Sequence, residues 1–175
     1  MKKHILLTGK PGVGKTTVIK KMLPFLGDDA GGFFTEEMSA MGKRMGFRVV
    51  TLDGEDGVLA HVDLNSTYQV GRYRVDPDAF EKLVIPVLEN AVRDKPVIVI
   101  DEIGKMELLS MKFRELVSTI LDSKRLLVAV IKEDGDPFTD WIKKRNDVTI
   151  VTVNHENRDT LPGEILEMIE NNRKS

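Results

Sequence analysis

The chain has 175 residues, 41% of them hydrophobic and 31% charged, enough for one α/β domain with a sizeable core and too few for two ordinary ones. A net charge of −2 supplies no overall basic field that would draw it to nucleic acid or an anionic membrane. It has no cysteine, which excludes disulfides, thiolate metal sites and thiol nucleophiles.

Lys2-Lys3 lead into only four mainly apolar residues, too few for a signal peptide. Nowhere do eighteen apolar residues run together, so a cytoplasmic location and no membrane partner are expected. His4 to Leu7 reads as a short buried strand. Gly9-Lys10-Pro11-Gly12-Val13-Gly14-Lys15-Thr16 follows it, a complete phosphate-binding loop (Walker A) between a strand and a helix. Such a loop wraps a polyphosphate with backbone N–H groups and a helix N-terminus. Lys15 is expected to reach the β- and γ-phosphates, and the Thr16 hydroxyl to ligate Mg²⁺.

Thr17 to Leu23 reads as the helix, closed by Pro24. Gly27 to Gly32 is the densest turn cluster, and Phe33 to Thr35 the next strand. Phe47 to Leu52 and Val58 to Val62 form a β-hairpin around Asp53 to Gly57, added to one edge of the sheet. Val70 to Val75 adds a further extended segment on which Arg72 and Arg74 alternate. A helix begins after Asp76 and carries Phe80, Leu83, Val84, Val87, Leu88 and Ala91 on one side; Pro86 is expected to kink or divide it.

Val97 to Ile100 is a continuous β-branched run, as a central parallel strand would be, and it ends in Asp101-Glu102. A hydrophobic strand closing in Asp beside a phosphate loop (Walker B) places one carboxylate at the metal, so Asp101 is the second expected Mg²⁺ ligand. Glu102 is then placed to orient or deprotonate the attacking water. Leu109, Phe113, Leu116, Val117 and Ile120 keep helical spacing. Leu126 to Ile131 and Val148 to Val153 are further strands, with a helix over Pro137 to Lys144 between them and a last helix after Asp159-Thr160. Strands alternating with helices predict a three-layer α/β fold with a mostly parallel central sheet, helices on both faces and the loop and acidic strand end meeting at its C-terminal edge.

Several blocks of the chain go beyond these common motifs. Gly32 to Glu37, Gly42 to Phe47, Val70 to Asp76, Ile100 to Leu108 and Glu156 to Arg158, together with Gly9 to Thr17, resemble the cancer-related nucleoside-triphosphatase family over nearly the whole length. The resemblance implies a RecA-like P-loop domain over residues 1–175 that slowly hydrolyses ATP, GTP, CTP and UTP with Mg²⁺ and weak base discrimination. It also implies that Gly9 to Thr17 and Asp101, Glu102, Ile103, Gly104, Lys105, Met106, Glu107 and Leu108 line the nucleotide. One departure stands out: relatives commonly carry Arg after a Thr-Glu-Glu-Val stretch, where this chain has Met38-Ser39, leaving Lys43 or Arg44 to substitute.

Other residues divide between function and structure. Arg72 or Arg74 is a candidate internal arginine finger, with Arg72 the one singled out, or a surface ion pair. Arg158 is placed to stack on the base or to bridge at the last helix. Glu36 and Glu37 either face Glu102 or form a solvated pair at a loop, and Lys105 either touches phosphate or caps a turn. His4, His61 and His155 lack metal-ligand spacing, and Trp141 with Phe138 reads as packing. The alternatives are a small-molecule or nucleoside kinase, with Lys143-Lys144-Arg145 as a meagre lid, and a GTP-dependent switch. Asn154 to Asn157 lacks the Lys and Asp of a guanine reader. Nucleoside triphosphates are the expected partners, nucleic acid is not, and a monomer is the default.

Overall fold

The central strands are apolar almost throughout, and their successive side chains point to opposite faces, which decides which helices cover which face. The computed structural model describes residues 2–175. Its elements run β1 (His4–Thr8), α1 (Lys15–Leu26), β2 (Ala30–Ala40), β3 (Lys43–Thr51), β4 (Asp56–His61), β5 (Tyr68–Val70), β6 (Tyr73–Val75), α2 (Pro77–Asp94) and β7 (Val97–Ile103). They continue as α3 (Met111–Asp122), β8 (Leu126–Ile131), α4 (Pro137–Lys143), β9 (Val148–Thr152) and α5 (Leu161–Lys174). The strands form one nine-stranded sheet in the order β5-β6-β4-β3-β2-β7-β8-β1-β9. From β2 to β9 all neighbours are parallel, and the outer strands from β2 to β5 pair antiparallel.

Ile5, Leu7, Val97, Val99, Val128 and Val130 point to one face, where they pack on Val18, Ile19 and Met22 of α1 and Leu161, Ile165 and Ile169 of α5. Leu6, Ile98, Ile100, Leu127 and Ala129 point to the other, against Phe80, Val84 and Leu88 of α2 and Phe113, Val117 and Ile120 of α3. The result is the expected three-layer arrangement. Phe33, Phe80 and Phe113 meet edge to face with centroids 5.3–6.1 Å apart, each pair adding about 0.5–1.5 kcal/mol beyond its buried area. Capping is local and sequence-encoded: Asp76 accepts from the Ala79 N–H at 2.9 Å, and Ser110 from the Phe113 N–H at 3.0 Å.

Five sequence expectations are corrected. Pro24 does not close α1, which runs on to Leu26; a proline in the last turn removes one backbone bond, while Met22 and Leu26 around it are buried. Pro86 does not divide α2, because Phe80 and Val84 before it and Leu88 and Ala91 after it are buried in the same core. Gly31 and Gly32 belong to β2, not to a turn. A Cβ on Gly32 would overlap the Val99 carbonyl of β7, and one on Gly31 would lie 2.8 Å from Ala91 Cβ, so close approach fixes both glycines. Finally, β2 is far longer than Phe33 to Thr35 and turns back into β3 at Met41-Gly42, where both residues take positive φ, as a type I′ hairpin turn requires. The added antiparallel part therefore contains the expected β3–β4 hairpin plus the β2–β3 and β5–β6 hairpins. Arg72 lies in the β5–β6 turn rather than on an extended segment.

Candidate active site

β1 delivers the loop and β7 the carboxylates, with β8 standing between them. Val130 of β8 is level with Leu7 on one side and with Asp101 on the other. Asp101 therefore sits about 10 Å across from the strand leading into the loop, two inter-strand spacings. The β7 alternation puts Val97, Val99 and Asp101 on the α1 face, towards Thr16. Beyond Asp101 the β7–β8 register slips, with Asp101 opposite Val130 but Ile103 opposite Ile131. Glu102 is the extra residue of this bulge, which re-aims its side chain and returns Ile103 to the α2–α3 core.

The loop is built for an anion. Gly9, Gly12 and Gly14 all have positive φ, and a Cβ on Gly9 would lie 2.7 Å from the Val153 carbonyl. α1 starts at Gly14 with no side-chain cap and no acidic residue in its first turn, so its free N–H groups and dipole face the cleft uncompensated. The Lys15 ammonium donates to the Gly9 carbonyl and, at 3.2 Å, to that of Lys10.

A cleft of about 770 Å³ joins these parts, well within the size range of small-molecule sites. Its wall includes Gly9, Pro11, Gly12, Gly14, Lys15, Thr16 and Thr17 from the loop, and Asp101, Glu102, Lys105, Met106 and Glu107 from β7 and the turn after it. Val13, Ile103 and Leu108 do not line it; their side chains are buried in the two cores and hold the loop and turn in place. Lys10 is exposed. Gly104 serves by its lack of a side chain, since a Cβ there would overlap the Glu102 carboxylate. A second groove of about 440 Å³ lies around Pro24, Leu52 and Lys95, away from the loop and the carboxylates.

The carboxylates are tuned by burial. Asp101 is pushed up to about 7, chiefly by desolvation, with the Thr16 side chain pulling the other way and the Glu102 charge adding to the rise. Burial also raises Glu102, offset by Lys15 and Lys132. Glu107 stands well above the ordinary carboxylate range for the same reason, reinforced by Glu102. Among the described residues two buried side-chain oxygens lack any hydrogen-bond partner: Thr8 Oγ1 and Asp101 Oδ2. An orphaned buried carboxylate oxygen beside the Thr16 hydroxyl fits a hard divalent cation, which takes oxygen ligands and removes the charge penalty.

The weaker candidates separate cleanly. Glu36 and Glu37 are residues of β2 rather than of a loop, and both line the cleft. Glu36 is bridged to Lys20 at 2.8 Å and Arg48 at 2.7 Å, which holds its carboxyl low; Glu37 pairs with Arg44 at 2.5 Å. Arg72 does not line the cleft and instead donates to the Arg44 main-chain carbonyl. Arg74 donates to the Ser66 carbonyl. Arg158 lies along the outer side of the loop, 3.4 Å from the Val13 carbonyl. Lys143 donates to the Lys132 and Glu133 carbonyls, and Arg145 pairs with Asp147 and Asp122, so this basic stretch is tied down rather than a lid. The Asn154 and Asn157 side chains bond the backbone of their own turn. Phe138 and Trp141 stack on each other at 5.7 Å, with Arg145 over the indole, which is packing.

Lys132 was not among the expected site residues, yet it lines the cleft. Its signal was available: it is the first polar residue past the C-terminal end of the apolar run Leu126 to Ile131, where parallel sheets present their ligand groups.

The family model described as NTPase matches residues 4–166. The chain belongs to the NTPase family. It is 53% identical over 169 residues to the nucleoside-triphosphatase THEP1 of Thermotoga maritima, covering 97% of each chain. It is 40% identical to the human cancer-related nucleoside-triphosphatase over 99% of this chain and all of that one. The crystal structure of THEP1 from Aquifex aeolicus superposes with a TM-score of 0.88 at 41% identity, covering 95% of this chain and 99% of that one. The family and enzyme class expected from the sequence, a hydrolase acting on phosphoric anhydrides, agree with these findings. Among the described residues no helix is long and apolar enough to cross a membrane.

Proposed function

We propose that the chain is a Mg²⁺-dependent nucleoside-triphosphatase that converts ATP, GTP, CTP and UTP to the diphosphate and phosphate, slowly and with weak base discrimination. The observation that carries this reading is the meeting of Asp101 and Glu102 with Lys15 and Thr16 in one cleft. The loop N–H groups and Lys15 hold the triphosphate. Thr16 and Asp101 would hold Mg²⁺, whose charge would offset that of the phosphates. Glu102, half-buried between Lys15 and Lys132, orients a water for in-line attack and accepts its proton. Hydrolysis needs little covalent chemistry from the protein, so positioning and charge are most of the mechanism. Free nucleotide is the sole partner in this reading, with the protein acting as a monomer in the cytoplasm, and the net charge of −2 speaks against nucleic acid. The bonded-down Lys143 and Arg145 make a kinase lid the weaker reading.

Phosphate release from each of the four triphosphates, with Mg²⁺ and no other acceptor, tests it. Wild type is expected to release phosphate from all four at comparable slow rates. Lys15→Ala is expected to lose binding and turnover together. Tight binding by wild type without any release would overturn the proposal in favour of a kinase or a switch.

A further inference from the structure

The β2–β3 ribbon bends at a bulge between Met38 and Ser39, and a second register break falls between Phe47 and Arg48 on the β4 side. A bulge re-aims the side chains beyond it. Between these two points the ribbon carries Arg44, the one arginine among the described residues of the cleft wall. Its guanidinium pairs with Glu37 at 2.5 Å and lies 5.7 Å over the Phe47 ring. Phe47 meets Tyr73 edge to face at 5.2 Å. Arg72 lies 5.2 Å over Tyr73 and donates to the main-chain carbonyl of Arg44. Both the ring beneath Arg44 and its own backbone are therefore held by the β5–β6 turn, which fixes it more firmly than an ordinary surface arginine.

The loop and Lys15 approach a bound triphosphate from one side. Arg44 is a guanidinium that the β2–β3 ribbon contributes to the same cleft, and a phosphoryl group carrying more negative charge than the single Glu37 carboxylate competes for it. We propose that Arg44 is an internal arginine finger, passing from Glu37 to the transferring phosphoryl group, and that Arg72 is the positioning residue that sets it. Arg44 forms no covalent bond; its contribution is neutralisation of charge that grows in the transition state. The inference rests on the triphosphatase reading above.

Three measurements on the full chain test it: phosphate release, nucleoside-diphosphate affinity, and capture of the diphosphate with aluminium fluoride, which mimics the planar phosphoryl group. Arg44→Ala is expected to lower turnover about 10³-fold, the low end of what arginine fingers contribute, with diphosphate affinity unchanged and aluminium-fluoride capture lost. Arg44→Lys should not restore capture, because an ammonium lacks the planar fork. Arg44→Gln, which keeps a planar polar head on the exposed hairpin, is expected to match Arg44→Ala and guards against a collapsed ribbon. Arg72→Ala should lower kcat without raising KM, and should add nothing in the Arg44→Ala background. Turnover retained in Arg44→Ala and Arg44→Gln, or lost in step with diphosphate affinity, would overturn the finger. Failure of wild type to release phosphate would instead overturn the triphosphatase reading itself.

Discussion

Glu102→Gln is expected to lower turnover about 10²–10⁴-fold, the range for loss of a general base, and to leave nucleotide affinity as it is. The amide keeps the size and the hydrogen-bonding shape of the side chain, so the space left by Gly104 still accepts it. What it removes is the site that takes the water's proton. Affinity is expected to persist because the phosphates are held by the loop N–H groups and Lys15, which the substitution does not touch. Removing a carboxylate next to Asp101 also relieves part of the repulsion on that group, so any change in affinity should be a slight gain. Single-turnover phosphate release, measured beside equilibrium nucleotide titration, separates the two quantities. Undiminished single-turnover release would sink the role and move attention to Glu107, Glu36 and Glu37, three further carboxylates on the wall.

The second large effect is on stability in mild acid, and it comes from His4. The imidazole is fully buried at the start of β1. Its Nδ1 accepts from the Leu127 N–H at 3.1 Å and its Nε2 donates to the Leu121 carbonyl at 3.0 Å. That pairing fixes a neutral tautomer, because the first partner can only donate and the second can only accept. Burial then lowers the pKa from 6.5 to about 4, helped by Lys3 and Arg145 and opposed by the Leu121 carbonyl and Asp147, 3.7 Å away. Below pH 6.5 the unfolded chain takes up a proton that the folded chain refuses, so stability is full above that value and falls as the pH drops towards 4. A gap of this size corresponds to about 3 kcal/mol, a large share of a typical domain's stability. Urea unfolding at pH 7.5, 5.5 and 4.5, wild type against His4→Gln, checks it. Carboxylate titrations are common to both proteins, so parallel losses in the two would show that His4 is not responsible.

The sequence was most informative where a single local rule decides the outcome. The loop is legible because its glycines, Lys15 and Thr16 must stand in one order. The acidic strand is legible because a fully apolar run ending in Asp-Glu is a strong pattern beside such a loop. The long β2 was not legible: past Phe34 it leaves the two-sided core, so Thr35 to Ala40 show no apolar alternation to read. Its turn was hidden for a related reason, since Met41-Gly42 lacks the Asn or Asp that marks a tight hairpin. Gly31 and Gly32 misled in the opposite sense, because local composition cannot report that Val99 and Ala91 press against them. Arg72 and Arg44 show the same limit, since the cleft wall takes Arg44 and not Arg72, an outcome of long-range packing that no periodicity contains.

β2 starts in the middle of the sheet and ends in solvent. Ala30 to Phe33 are buried between two helical layers, Phe34 to Glu36 and Met38 are half-covered, and Glu37, Ser39 and Ala40 are exposed. Local opening free energy follows such burial, so amide hydrogen exchange should slow by stages along this one strand from tip to root. The two ends then belong to different cooperative units. The Met41-Gly42 turn, beyond the point where Arg72 ties down Arg44, can fray and re-form while Phe33 and the phosphate loop stay shut.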